Sequence, residues 1–385
     1  MSSANGTPQR AHIGAAMKLK AGQQVAQSAP GSATISLHPR HKGGSTESRS
    51  RRPAVAHHSP SRIARLRQAI ALPKGQAAPY IQPVTTDPLL VFDRVTLRQR
   101  RERAARRWGD QAFLKREIAT RLVERLDDVR RDFALALDLG CHGDEVAMAL
   151  EGRATMQSLV RADLGLGFAQ KARGPALVAD EEALPFAPGS FDLVLSAMAL
   201  HWVNDLPGSL IQIARVLKPD GLFLGAMLGG GTLWQLRAAL TEAESEIEGG
   251  LSPRVSPFAD LRDAPGLLQR AGFAMPVADG EAIDIEYENA LALMRDLGAM
   301  GEANLVIERR RGFSRRTTLL RAAEIYAERF ANPSGRVTAT FEVLFLHGWA
   351  PAPSQPKPLK PGSAAHRLAE ALGTTERSAG EKAGR

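Results

Sequence analysis

The sequence predicts an α/β fold, a doubly wound and mostly parallel sheet with helices on both faces. Three observations carry this. Short apolar runs alternate with helical stretches through the middle of the chain, the pattern of strands joined by crossover helices. The first run, Phe133-Ala-Leu-Ala-Leu-Asp-Leu139, ends at a glycine turn that opens into a helix near Glu145. Three successive strands close on Asp138, Asp163 and Asp180, which sets a row of carboxylates along one edge of the sheet.

Taken in order, residues 1–86 show no sustained period of 2 or 3.6 and are rich in Ser, Pro, Gly, Ala, Arg and His. Such a segment buries too little apolar area to offset its ordering entropy and reads as a disordered basic extension. It could be an arm for anionic partners, an organelle-targeting segment, or a translated upstream region; the abrupt onset of folded pattern at Asp87 favours the last. Arg98 to Val129 has helical period, marked by Trp108, Phe113, Ile118, Leu122 and Leu126. After Phe133–Leu139, strands are expected at Met156–Ala162, Ala176–Ala179, Phe191–Ala197 and Leu222–Met227. A helix is expected at Leu233–Glu248, then a strand at Ile283–Tyr287, a helical region, and a last strand at Thr338–Leu346. Residues 351–385 open with five prolines in eleven positions and read as a linker ending in a short Ala/Leu helix.

Charge divides sharply by region. Of the net +9, residues 1–86 carry +11 and residues 351–385 carry +3, so the body at 87–350 carries −5. Nucleic acid is disfavoured as a partner, because the basic footprint it needs belongs on the folded part. The Arg-rich run from Arg94 to Arg131 is interleaved with acids and reads as a solvated helix face. The single cysteine, Cys141, excludes an internal disulfide framework and Cys-ligated clusters. No apolar stretch approaches the ~20 residues of a membrane span. The chain is expected to be soluble and cytoplasmic, or in the mitochondrial matrix if residues 1–86 are a targeting segment.

The strand-end acids point to a ligand. Asp138-Leu-Gly140-Cys-His142-Gly143-Asp144 lets the backbone approach a ligand and exposes a helix N-terminus, although His142 stands where a second glycine would be expected. Asp163 is placed to accept from two ribose hydroxyls and Asp180 from an exocyclic adenine amine. Carboxylates repel phosphates, and the body has no Gly-Lys-Ser/Thr phosphate loop. An adenosine cofactor with cationic groups and no pyrophosphate fits, and S-adenosylmethionine has that profile. The competing reading makes these aspartates ordinary helix N-caps.

The motif series Ala136-Leu-Asp-Leu-Gly-Cys141, Asp180-Glu-Glu-Ala-Leu-Pro-Phe186, Gly189-Ser-Phe-Asp-Leu-Val194 and Leu217-Lys-Pro-Asp-Gly221 resembles that of class I S-adenosylmethionine-dependent methyltransferases. Downstream, Leu200-His-Trp-Val-Asn-Asp-Leu206, Ser252-Pro-Arg-Val-Ser-Pro-Phe258, Leu268-Gln-Arg-Ala-Gly-Phe273 and Phe341–Pro351 resemble the branch that holds the malonyl-carrier-protein methyltransferase. Within it, and with Val91-Phe-Asp-Arg94, the chain is most similar to the complex I assembly factor 5 group. The resemblance covers roughly residues 87–351. It implies a seven-stranded sheet whose last strand is antiparallel and inserted beside the sixth. It also implies Asp138 and Gly140 at the methionine end of the cofactor, with Gly143 as a further cofactor-binding residue, Asp163 at the ribose, Asp180 with Glu181 at the adenine, and Ser196 lining the methionine side. His142-Gly143-Asp144 departs from the family's Gly-x-Gly spacing.

Methyl transfer asks the protein mainly for an in-line approach and exclusion of water. His201, beside Trp202, is the candidate base, with a role in capping the core as the alternative. His347 reads as structural. Arg254, Arg262 and Arg309-Arg-Arg311 are candidates for holding an acidic acceptor group. The expected function is S-adenosylmethionine-dependent methyl transfer to a small-molecule, carrier-linked or protein acceptor, with no metal. The alternatives are arginine hydroxylation on a complex I subunit, which the resemblance implies, and a non-catalytic cofactor-binding scaffold.

Overall fold

In a computed structural model of the chain, residues 33–36, 90–153, 156–356 and 368–375 are described. In chain order the elements are β1 (Ala33–Ser36), α1 (Arg94–Ala105), α2 (Trp108–Gln111), α3 (Phe113–Glu124), β2 (Phe133–Leu139), α4 (Glu145–Ala149), β3 (Met156–Asp163), α5 (Leu166–Lys171), β4 (Ala176–Val178) and β5 (Phe191–Ala197). There follow α6 (Leu206–Val216), β6 (Leu217–Leu228), α7 (Trp234–Glu248), α8 (Ala264–Arg270), β7 (Ala274–Tyr287), α9 (Ala290–Met300), α10 (Arg316–Phe330), β8 (Val337–Trp349) and α11 (Leu368–Leu372).

The strands form one sheet in the order β1-β7-β8-β6-β5-β2-β3-β4. From β6 through β4 the pairing is parallel, while β8 runs antiparallel to both β6 and β7. The seven strands β2 to β8 are the sheet expected from the resemblance, with the last strand inserted beside the sixth. Four residues of the N-terminal extension, Ala33–Ser36, add an eighth strand parallel to β7, where the sequence reading placed no element. The rest of that extension lies outside the described residues.

Burial explains why the central strands are legible. Residues 133–139 and 191–197 are covered on both faces and are therefore near-continuous apolar runs. One core layer joins α3, α7, α9 and α10 to one face, through Ile118, Leu122, Leu240 and Tyr326. The other packs α6 and α8 on the opposite face, through Leu210, Ile213 and Leu268. β7 begins nine residues before its expected span, at Ala274, because none of residues 274–282 is buried and they form no apolar run, while β8 starts one residue earlier and runs three residues further than expected.

The expected helix at Arg98–Val129 is three helices. Asp93 caps the first by accepting from Thr96 N at 2.9 Å. The break at Arg106-Arg107 turns the chain so that Trp108 reaches over the glycine turn, edge-on to Phe168, with its Nε1 donating to Glu145 Oε1 at 2.9 Å.

Candidate cofactor edge and acceptor cavity

Register brings the strand-end acids together. Asp138 lies opposite Arg161 of β3 and Leu195 of β5, and Asp163, the last residue of β3, lies opposite Val178 of β4. Asp180 and Glu181 follow two and three residues after β4, and Ser196 sits near the end of β5. Gly140 has φ +71°, and a Cβ there would strike the Ala199 Cβ, so the turn after β2 closes directly against the loop after β5. Ser196 Oγ donates to Leu139 O at 2.9 Å and braces the same turn from β5.

His142 occupies a left-handed conformation, φ +53°. Its ring stacks on Trp108 at 5.3 Å, and its backbone N donates to Asp163 Oδ2 at 2.9 Å. Burial, then the charges of Lys115 and Arg101, push its pKa well below the ordinary histidine value, so the ring is neutral. Gly143 lies on the outer side of the turn. A Cβ there would come within 2.7 Å of the Trp108 ring nitrogen and 2.6 Å of Glu145 Oε2. Its small size serves the packing of Trp108.

The acids differ in how they are satisfied. Asp163 accepts from His142 N and, at 2.7 Å, from Gly165 N; burial raises its pKa, against the pull of Arg101 at 3.8 Å. Glu181 is fully buried between two guanidinium groups, Arg94 at 2.5 Å and Arg101 at 2.6 Å. Burial alone would raise its pKa, but Arg101 and Arg94 hold it down at about 2. Asp180 pairs with Arg94 and accepts from Glu182 N at 2.9 Å. Asp138 is fully buried, and among the described residues neither of its carboxylate oxygens has a hydrogen-bond partner. Burial pushes it up to about 7, with Lys115 and Arg161 opposing.

Arg94, Arg101 and Lys115 correct the reading of the Arg-rich run as a solvated face. All three side chains turn inward and are buried. Lys115 Nζ donates to Gly140 O at 2.5 Å and Ala197 O at 2.9 Å, and lies 2.7 Å from His142 Nδ1. Burial lowers its pKa, with Asp138 and Glu145 opposing. A signal was present: Arg94 and Arg101 are seven residues apart and share a helical stripe with buried Leu97 and Ala104.

His201 lies in the turn Leu200–Trp202 after β5, with Nε2 at 3.0 Å from Glu302 Oε2 and a buried Nδ1 without a partner. Trp202 Nε1 donates to the same Glu302 oxygen at 2.9 Å. Trp202 and Glu302, but not His201, line a cavity of about 610 Å³. Its apolar wall includes Leu236, Leu240, Phe258 and Leu297, and its polar wall carries Arg100, Arg254, Arg309, Arg310 and Arg311. Arg254 is held by Glu244 at 2.6 Å, Arg309 by Asp93 at 2.9 Å, and Arg310 by Glu248. Arg100 donates to the carbonyls of Ala303 and Asn304, and Arg311 makes no ion pair among the described residues. Burial, then Arg309 and Arg103, lower the Arg100 pKa, the mark of a locally positive wall. Arg262 pairs with its neighbour Asp260 and lies outside this cavity. His347, at 6.0 Å from the Trp349 ring, lies opposite Leu224 of β6 and away from both regions.

A family described as a methyltransferase domain matches residues 137–225. The chain is 42% identical over 281 residues to a Danio rerio protein named arginine-hydroxylase NDUFAF5, mitochondrial, covering 71% of this chain and 87% of that one. The Homo sapiens protein of the same name is 41% identical over 299 residues, 76% of this chain and 84% of its own length. A malonyl-[acyl-carrier protein] O-methyltransferase of Methylovorus sp. is 36% identical over 282 residues, 70% of this chain and 92% of its length. Among the described residues no helix is long and apolar enough to cross a membrane, and no three of His, Cys, Asp and Glu form a metal-ligand set.

Proposed function

This chain belongs to the class I S-adenosylmethionine-dependent methyltransferase family, and from that premise we propose that it binds S-adenosylmethionine at the sheet's carboxyl edge and methylates an anionic acceptor in the neighbouring cavity. The observation that carries the cofactor assignment is Asp138, a fully buried carboxylate with both oxygens unpartnered beside the glycine turn. An unpaired buried carboxylate is costly, and a cationic ligand group offsets that cost.

The residues present fit the cofactor. Asp138 would take the methionine ammonium, with the Gly140 turn, backed by Ser196 and shaped at Gly143, around it. Asp163 keeps accepting capacity on both oxygens for ribose hydroxyls, since each oxygen accepts one backbone N–H. Both Glu181 oxygens are held by arginines, so Glu181 fixes Arg94 and Arg101, and Asp180, two residues beyond β4, would stand at the adenine. Bound S-adenosylmethionine would supply an electrophilic methyl group on its sulfonium. Replacing Asp163 by Ala should weaken S-adenosylhomocysteine binding about 10- to 150-fold in calorimetry, from the loss of charge-assisted hydrogen bonds of ~1.5–3 kcal/mol. Unchanged affinity would remove the ribose assignment.

The acceptor reading rests on Arg100 and Arg311, two guanidinium groups without an ion-pair partner among the described residues, on a cavity wall whose opposite side is apolar. They attract a carboxylate or phosphate at the end of an apolar chain, as in a carrier-linked acid. A carboxylate acceptor is already ionised at neutral pH and needs no general base. His201 then serves to hold Glu302 at the cavity wall.

A second reading has its own support: the relatives named arginine-hydroxylase reach 42% identity, above the 36% of the carrier-protein methyltransferase. In that reading the acceptor is an arginine of a complex I subunit. The vertebrate relatives are named as mitochondrial. Residues 1–86 would direct this chain to the matrix if they act as a targeting segment; otherwise the reaction is cytoplasmic. Intact-mass analysis of a malonyl-loaded carrier protein and of the complex I subunit, each incubated with purified protein, S-adenosylmethionine, dioxygen and a two-electron reductant, separates the readings. A gain of one CH₂ on the carrier with release of S-adenosylhomocysteine supports methyl transfer to an acid. A gain of one oxygen on arginine, without that product, overturns it.

A further inference from the structure

The lead-in helices α1 and α3 set three of the chain's own cations on the acceptor groups of the cofactor edge. Arg94 holds Asp180 and one oxygen of Glu181, and Arg101 holds the other Glu181 oxygen and stands 3.8 Å from Asp163. Lys115 is the most telling of the three. Its ammonium donates to Gly140 O and Ala197 O and lies 2.7 Å from His142 Nδ1, which is itself 2.9 Å from Gly140 O. Gly140 directly follows β2 and Ala197 is the last residue of β5, so a cation already sits where their carbonyls converge. Asp138, whose charge acts on Lys115, has no hydrogen-bond partner for either oxygen among the described residues.

We propose that Lys115 is the pin of an intramolecular lock: its ammonium occupies the place of the ligand's α-ammonium, and the α1–α3 lead-in must release it before the cofactor can seat. This rests on the cofactor reading above. The geometry makes it a competition between two ammonium groups for one set of acceptors. A buried lysine also loses its hydration, so its hold depends on those three contacts and on the field of Asp138. Filling the pocket from outside exchanges one desolvated ammonium for another and returns Lys115 to water.

The test compares two ligands on the full chain at about pH 8, by calorimetry: S-adenosylhomocysteine, and 5′-methylthioadenosine, which lacks the amino-acid end. In the wild type, S-adenosylhomocysteine is expected to bind less than about tenfold tighter than 5′-methylthioadenosine, because its ammonium must first expel Lys115. In Lys115→Met its affinity is expected to rise at least about tenfold while that of 5′-methylthioadenosine stays within about twofold. Lys115→Gln serves the same purpose if the methionine variant does not fold, and the wild-type comparison needs no variant. The lock is overturned if the substitution leaves S-adenosylhomocysteine binding unchanged or weaker, since Lys115 would then anchor the ligand. It is equally overturned if the wild type already prefers S-adenosylhomocysteine by more than about a hundredfold. Failure of both ligands to bind any form removes the cofactor reading itself, a different outcome from 5′-methylthioadenosine binding with the wrong response at Lys115.

Discussion

Glu181→Gln is expected to destabilise the folded chain by about 3–5 kcal/mol, read as a lower urea midpoint at unchanged slope. Glu181 has no exposed surface, and each of its oxygens neutralises a buried guanidinium, at 2.5 Å for Arg94 and 2.6 Å for Arg101. The amide keeps the shape and removes the charge. Arg101 is then left with only Asp163 at 3.8 Å, and Arg94 with Asp180 and a distant Glu182. A second route gives a similar magnitude: a carboxylate held at about 2 rather than 4.5, at 1.36 kcal/mol per pKa unit, contributes ~3 kcal/mol. The sign fixes the pH window. Because the folded pKa is lowered, this stability is present above 4.5 and is lost as pH falls towards 2. The difference between wild type and variant should therefore shrink across that interval. A cost below about 1 kcal/mol near neutral pH would show that the two arginines find other partners or water.

That same cluster marks the limit of what the sequence displays. The doubly covered strands, such as 133–139 and 191–197, announce themselves as apolar runs because both faces are buried. β7 does so only in part, since none of residues 274–282 is buried, although further along Thr340 Oγ1 of β8 donates to Asp284 Oδ1 of β7 across the ladder at 2.7 Å. Asp138 and Asp163 are legible as site residues because strand ends in a parallel sheet share one edge, a rule of topology that needs no side-chain detail. The cations that meet these acids are not legible in that way. Arg94 and Arg101 look like neighbours of Glu102 and other local charges, while their partner Glu181 lies 87 and 80 positions away. Local charge density favours a solvated face; only tertiary packing of α1 against the sheet edge decides otherwise. His142 is a similar case. Its left-handed backbone would suit glycine, and stacking on Trp108 together with the bond to Asp163 compensates for the strain.

The affinity of S-adenosylhomocysteine is expected to rise about tenfold per pH unit from pH 5.5 to about 7, then level, and Asp138→Asn should abolish that rise. Asp138 is held at about 7 rather than 3.8, with burial as the main cause and Lys115 and Arg161 opposing. In the ligand-free chain the carboxyl is therefore largely protonated below neutrality. A ligand ammonium favours the ionised form, so binding below about pH 7 must release a proton. Calorimetry in buffers of different ionisation enthalpy measures that proton directly. The ligand's own α-ammonium, which loses its proton only at higher pH, sets the upper limit of the plateau. Stability of the free chain should run the opposite way. A raised folded pKa means stability is fully present below 3.8 and is lost as pH climbs to about 7, by on the order of 4 kcal/mol at 1.36 kcal/mol per unit. The asparagine variant loses none of this across the same range, and the two curves should diverge from pH 4 upward. Wild-type binding that is flat from pH 6 to 8, with no proton released, would mean that Asp138 does not meet the ligand's ammonium.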